Sequence, residues 1–101
     1  MSMDSLATIL PGLMRRLGLE EGARGWRAVT EWPALAGERI ARRTRATSFR
    51  DGVVTVEVEG SAWMHELSFL KPELVRRANQ LLGAGTVREV RFVLARGGIQ
   101  R

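Results

Sequence analysis

The spacing of the hydrophobic residues changes at Thr44, from a helical period to that of a strand, and this change limits the folds that the chain can adopt. From Thr44 onward the sequence predicts a β-hairpin, with strands at 44–50 and 53–59 joined by Asp51 and Gly52. Asp-Gly is a favoured two-residue turn because both positions tolerate positive φ. Apolar and polar residues alternate along the second strand, where the apolar ones are Val54, Val56 and Val58. One face of the sheet is therefore apolar, as expected for an antiparallel sheet covered by helices on one side.

A helical pattern follows the hairpin and leads into a third strand. Apolar residues recur every three or four positions from 61 to 82, and the predicted buried face carries Trp63, Leu67, Leu70, Leu74, Ala78 and Leu81. Ser61 can cap the start of this helix, Gly83 can follow its end with positive φ, and Pro72 predicts a break. Residues 87–95 alternate again, with Val90, Phe92 and Leu94 directed inward, and predict a strand.

The first part of the chain predicts helices at 4–17, 24–32 and 38–43. The second of them is expected to end before Pro33, because a residue that precedes proline disfavours the helical region. Trp32 is then a buried residue at the helix end, and Gly37 lies in the turn that follows. The segment from Gly22 to Gly25 is interpreted as a turn that connects two helices.

These elements predict an α+β fold in which N-terminal helices precede a β-β-α(α)-β unit with a small three-stranded sheet. A chain of 101 residues suits one domain, predicted at 1–96 and followed by a flexible tail at 97–101. The longest apolar run falls short of the roughly 20 residues that span a bilayer, and the N-terminus does not have the pattern of a signal peptide. We therefore expect a cytoplasmic protein that does not enter a membrane.

The residue types that most enzymes and metal sites need are scarce. The chain has no cysteine and a single histidine, His65, so thiolate chemistry is excluded and a histidine-based metal site is disfavoured. No nucleophile or glycine-rich phosphate loop lies at a useful spacing from His65, and catalysis needs several convergent groups. We expect no enzyme activity, no cofactor and no metal.

The net charge of +5 instead favours an anionic partner, and nucleic acid is the commonest of these. A first group of candidate phosphate contacts lies within twelve residues and comprises Arg39, Arg42, Arg43, Arg45 and Arg50. Arg39 and Arg43 are four residues apart in a predicted helix, so they share a face and repel each other unless an anion lies between them. The alternative is a solvated surface that Glu38 and Asp51 partly neutralise.

A second group of candidates lies on the long helix and the last strand, namely Arg76, Arg77 and Arg91, for which ion pairs with Glu73 and Glu89 are the alternative. The tryptophans invite comparison with the aromatic side chains on which single-strand binders stack bases. Trp63 is predicted to lie in the core beside Leu67. Trp26, between Arg24 and Arg27, is the candidate for a partner-binding surface.

Five short segments, in this order and spacing, resemble one family over nearly the whole chain. They are Trp-Pro-Ala-Leu-Ala-Gly at residues 32–37, Ile-Ala at 40–41, Phe-Arg-Asp-Gly-Val-Val-Thr-Val at 49–56, Ser-Ala-Trp-Met-His-Glu-Leu at 61–67 and Val-Arg-Phe at 90–92. Together they are similar to the DciA family of bacterial proteins. The resemblance implies a protein that recruits the replicative DNA helicase and binds single- or double-stranded DNA. It also implies a K-homology-like domain of the second type.

One departure from that fold bears on function. Nucleic-acid-binding K-homology domains clamp the backbone with a Gly-x-x-Gly loop, and the corresponding position here is the glycine-free stretch at 68–72. We therefore expect DNA contacts to be made by arginine. An RNA-binding K-homology-like module and a protein-interaction domain with incidental basicity remain the alternatives, and the oligomeric state stays open.

Overall fold

The computed structural model describes residues 9, 12–13 and 19–96, and all structural statements below refer to these residues. Residues 9, 12 and 13 are helical, but most of the predicted helix at 4–17 and all of the predicted tail at 97–101 lie outside the described residues. In the described part of the chain no helix is both long and apolar enough to cross a bilayer.

Within residues 19–96 three helices precede the sheet, and their bounds correct the predicted ones. They are α1 (Leu19–Thr30), α2 (Trp32–Ala36) and α3 (Glu38–Ala41). Pro33 does not end the helical region as predicted, because it occupies the first turn of α2, where proline lacks only an N–H that has no helical partner anyway. Gly37, with φ of 91°, forms the turn between α2 and α3 as expected.

The predicted turn at Gly22–Gly25 is wrong, because both glycines lie inside α1. Gly25 is buried against the ring of Phe49, and a Cβ built on Gly25 would lie less than 3.0 Å from three atoms of that ring. Around Gly22 a Cβ would meet nothing within 4 Å. The glycine at position 25 is therefore explained by close packing of α1 on the sheet.

The sheet contains β1 (Thr44–Arg50), β2 (Val53–Val58) and β3 (Glu89–Leu94), in the order β1-β2-β3. The hairpin is confirmed, with Asp51 and Gly52 at φ of 51° and 80°, and the pairing shifts at a bulge between Ala46 and Ser48. However, β3 pairs with β2 in parallel, so the sheet is mixed and not antiparallel. The two helices between these strands carry the chain back across the sheet, which is the connection that parallel strands need.

Those two helices are α4 (Ser61–Ser68) and α5 (Lys71–Leu82), so the predicted break near Pro72 is confirmed. Pro72 lies in the first turn of α5. The predicted capping role of Ser61 is wrong, because the cap position of α4 is occupied by Gly60 and Ser61 is already the first helical residue. The cap has no side-chain hydrogen bond. Gly83 ends α5 with φ of 119°, as predicted for a glycine after a helix.

The helices cover the valine face of the sheet, and the core forms between them. Val54, Val56 and Val58 are buried, together with Trp32, Leu67, Leu74, Ala78, Leu82, Val87 and Val90. Leu70 and Leu81 are 39% and 46% exposed, which corrects their prediction as core residues. Within α5 the buried positions are 74, 78 and 82, four residues apart, so Leu82 is buried in place of Leu81. Phe92 is half-buried against the core, whereas Leu94 is exposed.

A buried hydrogen-bond chain fixes α2 and α3 on the first strand. The indole Nε1 of Trp32 donates to the hydroxyl of Thr44 at 2.9 Å, and that hydroxyl donates to the carbonyl of Ile40 at 2.8 Å. The only buried polar side chain in the described core is thus satisfied on both sides. This link sets the position of α3, which carries Arg39, and of the short segment after it, which carries Arg42 and Arg43.

Candidate nucleic-acid and partner interface

Two arginines lie over the face of Trp63. The guanidinium carbons of Arg39 and Arg43 are 5.9 and 5.6 Å from the centre of the indole ring, within the range of a cation–π interaction. Trp63 is half-buried and packs against the core with part of its ring, so its prediction as a core residue is only partly correct. Its outer side belongs to a surface that also carries Arg42, and we call Arg39, Arg42, Arg43 and Trp63 the arginine–tryptophan surface.

The fold brings these residues together from three places in the chain. Arg39 lies on α3, Arg43 lies between α3 and β1, and Trp63 lies in the first turns of α4. The amide of Glu59 donates to the carbonyl of Arg43 at 2.9 Å, which joins the start of β1 to the end of β2. Because α4 begins directly after β2, this contact places Trp63 beside the arginines.

Each arginine of this surface also lies near a carboxylate. Arg39, Arg42 and Arg43 approach Glu66, Glu38 and Glu59 at 3.8, 2.6 and 3.6 Å. The side chains of Arg39 and Arg42 remain 80% and 64% exposed. Exposed ion pairs contribute only about 0–1 kcal/mol, so a phosphate can compete for these guanidinium groups. The expected partial neutralisation by Glu38 is confirmed, and the surface is less positive than its arginines alone suggest.

An apolar groove of about 570 Å³ runs beside the arginine–tryptophan surface, between α2–α3 and α4–α5. Its walls include Ile40, Trp63, Leu67, Phe69 and Leu70. Phe69 is 72% exposed, the highest value among the large apolar residues of the described chain, and its ring meets the ring of His65 edge-on with centres 5.2 Å apart. Sequence reasoning did not single out Phe69, although its position in the break between two helices was a usable signal.

Arg77 of α5 also lines this groove, and its Nη1 donates to the carbonyl of Ala36 at 3.2 Å. Arg76 and Arg77 both bond to Glu73, as the alternative interpretation anticipated. The hydrogen bonds from Arg76 and then Arg77 lower the pKa of Glu73 to about 2. Both guanidinium groups are therefore tied to a carboxylate that stays ionised, and this pairing weakens their case as phosphate contacts.

The remaining predicted arginines do not join the arginine–tryptophan surface. Arg45 pairs with Glu57 on the neighbouring strand, on the face of the sheet turned away from the core, and Arg91 lies on the same face opposite Thr55. Arg50 lies at the far end of β1, with its side chain 91% exposed and 3.9 Å from Asp51. The candidates thus form one cluster of three and several separate positions.

The predicted partner residues are also separated. Trp26 is 49% exposed on α1, which agrees with a free surface position, and Arg27 pairs with Glu31 at 3.0 Å. Arg24 is half-buried and lines a different pocket. In the part of the chain that the structure describes, no three His, Cys, Asp or Glu side chains are grouped so that they could hold a metal ion.

Comparison with known proteins assigns the family. The family model described as "Dna[CI] antecedent, DciA" matches residues 5–92. A UPF0232 protein of Streptomyces avermitilis is 33% identical over 83% of this chain and 48% of its own length. A UPF0232 protein of Mycolicibacterium smegmatis is 30% identical over 70% of this chain and 40% of its own, and one of Bifidobacterium longum is 30% identical over 69% and 45%.

This chain therefore spans less than half the length of these curated relatives. The family match nevertheless covers both halves of the fold, from the helices before the sheet to the last strand. It also includes every residue of the arginine–tryptophan surface and of the apolar groove. The chain belongs to the DciA family.

Proposed function

We propose that this protein is a non-enzymatic adaptor that binds DNA through the arginine–tryptophan surface and helps to recruit or load the replicative DNA helicase. Family membership supports a general role of this kind. The observation that carries the DNA contact is the placement of Arg39 and Arg43 within 6 Å of the Trp63 ring centre. Cationic groups beside an aromatic ring are what single-strand binders offer to the phosphates and bases of a flexible strand.

In this proposal the phosphates of DNA displace the carboxylates that pair with the arginines in the free protein. Incoming phosphates replace Glu38, Glu59 and Glu66 as partners of the arginines, and the planar guanidinium group suits phosphate bidentately. Contacts of this kind position a strand but do not read its bases. Binding is therefore expected to be non-specific in sequence, with each phosphate contact adding roughly 0.7 to 0.9 to the slope of log affinity against log salt.

The helicase contact is proposed for the apolar groove. Phe69 and Leu70 are exposed beside a concave surface. Contiguous apolar area that is exposed to water typically marks a partner site, because its contact with water is unfavourable. Arg39 and Arg77 line the groove together with Glu38 and Glu66, so its rim can form polar contacts of both signs. Large aromatic side chains are common anchors at the centre of protein interfaces.

The DNA contact is tested by titrating labelled single- and double-stranded DNA at two salt concentrations. The test variant replaces Arg39, Arg42 and Arg43 by alanine, and the control replaces Arg27, Arg50 and Arg96, which carry the same total charge elsewhere. We expect the test variant to bind more weakly and to have a shallower salt slope than the control. Equal losses in both variants would mean that only net charge matters, and would remove this surface from the proposal.

The helicase contact is tested by co-purification of the host replicative helicase with Phe69→Ser, and with Leu81→Ser as the control. Both side chains are exposed, at 72% and 46%, so neither change should unfold the protein. Loss of the helicase with Phe69→Ser alone supports the groove, whereas equal retention by both variants refutes it.

A protein-interaction domain without DNA binding is the second candidate. It is favoured by the observation that all three arginines of the surface already lie within 4.0 Å of a carboxylate. That candidate predicts helicase binding that depends on Phe69, together with no saturable DNA binding at low salt.

A further inference from the structure

A polar pocket lies at the end of the sheet opposite to the arginine–tryptophan surface. It has a volume of about 390 Å³ and forms where the Asp51–Gly52 turn, the loop at 83–88 and α1 meet. Among its lining residues are Arg24, Phe49 and Arg88. The seven residues of β1, about 20 Å of strand, separate this turn from Arg43 at the start of β1. The pocket is therefore distinct from the proposed DNA-binding surface.

The two arginines of this pocket differ from the others described above. Within the side chains that the structure describes, neither Arg24 nor Arg88 forms an ion pair with a carboxylate. Nη2 of Arg88 donates to the backbone carbonyl of Asp51 at 2.9 Å, which fixes the guanidinium group at the pocket. Nη1 of Arg24 lies beside Gly83, 3.5 Å from the position that a Cβ there would take. Arg88 is thus held at the pocket and Arg24 lines it, and neither guanidinium group is neutralised by a described carboxylate.

The loop after α5 adds hydrogen-bond donors to the same pocket. Gly83 and Gly85 have φ of 119° and 77°, and Ala84, Gly85 and Thr86 line the pocket. The amide of Thr86 donates to Gly83, but within residues 19–96 those of Ala84 and Gly85 donate to no backbone carbonyl. Free amides in a turn with positive φ form a concavity that favours anions. The hydroxyl of Thr86 is a further donor beside Gly83. Its oxygen lies 3.6 Å from the position that a Cβ on Gly83 would take.

We propose that this pocket binds a nucleotide, with its phosphate between Arg24 and Arg88 and the amides of Ala84 and Gly85. The volume exceeds what a phosphate alone requires and lies in the range of small-ligand sites. Phe49 supplies an aromatic wall against which a base can pack, and the carboxylate of Asp51 is available to sugar hydroxyls. The ligand is either a free mononucleotide or the phosphorylated end of a DNA strand, since both present a terminal phosphate beside a base.

The test is a titration of the isotope-labelled protein, followed by the amide signals of Ala84 and Gly85. Its ligands are dAMP, deoxyadenosine, inorganic phosphate, and one oligonucleotide with and without a 5′-phosphate. We expect dAMP to shift these amide signals saturably and inorganic phosphate to do so with lower affinity. Deoxyadenosine should not shift them. Saturation by the mononucleotide alone identifies a free nucleotide as the ligand, and a gain in affinity from the 5′-phosphate identifies a strand end.

The matched variants are Arg24→Gln and Arg88→Gln, with Arg45→Gln and Arg96→Gln as controls. Loss of one charged hydrogen-bond donor should weaken dAMP binding about tenfold or more, and Arg24→Lys should restore part of it. Equal affinity in all variants, equal binding of deoxyadenosine, or phosphate binding as tight as that of dAMP would overturn the proposal. Because DNA binding by the arginine–tryptophan surface uses other residues, it should survive Arg24→Gln and Arg88→Gln, so either proposal can fail alone.

Discussion

Replacing Gly25 by alanine should destabilise this protein, although the same change elsewhere in the helix should stabilise it. Two effects of opposite sign compete at this position. Alanine is favoured over glycine inside a helix by about 1 kcal/mol. Against this, the new methyl group would come closer than 3.0 Å to three atoms of the Phe49 ring, which lies directly over the glycine.

The steric effect should dominate. The ring of Phe49 is rigid and half-buried against the core, so the clash cannot be relieved by moving the end of a flexible chain. Inserting a methyl group into a closely packed site typically costs about 1–3 kcal/mol. Subtracting the helix preference leaves a net loss of about 1 kcal/mol, which corresponds to a fall in Tm of about 4–8 °C for a domain of this size.

Thermal and urea unfolding of Gly25→Ala, Gly22→Ala, Phe49→Leu and the double variant Gly25→Ala/Phe49→Leu measure this balance. In Gly22→Ala the new methyl group meets nothing within 4 Å, so only the helix preference acts and the free energy of unfolding should rise by about 0.5–1 kcal/mol. In a Phe49→Leu background the ring is absent, and Gly25→Ala should become neutral or stabilising. The interaction between the two positions then appears as a double-mutant coupling.

A stabilised Gly25→Ala protein would refute this reasoning, because it would mean that α1 and β1 can separate at little cost. A loss of equal size in the presence and absence of the Phe49 ring would do the same, since it would locate the effect elsewhere in α1.

Two further results are expected from other sites. Thr44→Val should lower the free energy of unfolding by about 1–3 kcal/mol, because it leaves the buried indole N–H of Trp32 without an acceptor. Urea unfolding measures this loss, with Thr47→Val at an exposed position as the control. Equally small losses in both variants would contradict the role of the buried hydrogen bond. The carboxyl group of Glu73 should titrate near pH 2 by NMR. Its pKa is lowered on folding, so the stability that it contributes is present above its unfolded pKa and is lost as the pH falls through the folded value. Arg76→Ala should raise this midpoint, and an unchanged midpoint would contradict the assigned cause.

Much of the second half of the fold was predictable because its signals are local. The Asp51–Gly52 turn, the valine alternation and the helix break at Pro72 each depend on residues within a few positions of one another. The first half was predicted less well. Pro33 was interpreted as a helix stop, although proline is equally suited to the first turn of the next helix, and the residues around it do not distinguish these roles.

The candidate site shows the same division. The arginines at 39, 42 and 43 were evident as a charge cluster. The contact of Trp63 with two of these arginines was not, because more than fifteen residues and a complete hairpin separate them in the chain. The exposed position of Phe69 was missed for a related reason, since its surroundings depend on the angle between α4 and α5.

By itself, the sequence determined the family, the hairpin and the helix break at Pro72, because residue type and short-range periodicity carry this information. Only the tertiary structure decided which of Leu70, Leu81 and Leu82 is buried, why Gly25 is glycine, and which arginines lie together. Each of these depends on side chains that are distant in sequence and adjacent in space. Local periodicity fixes the faces of an element, whereas the packing of one element on another decides what each face meets.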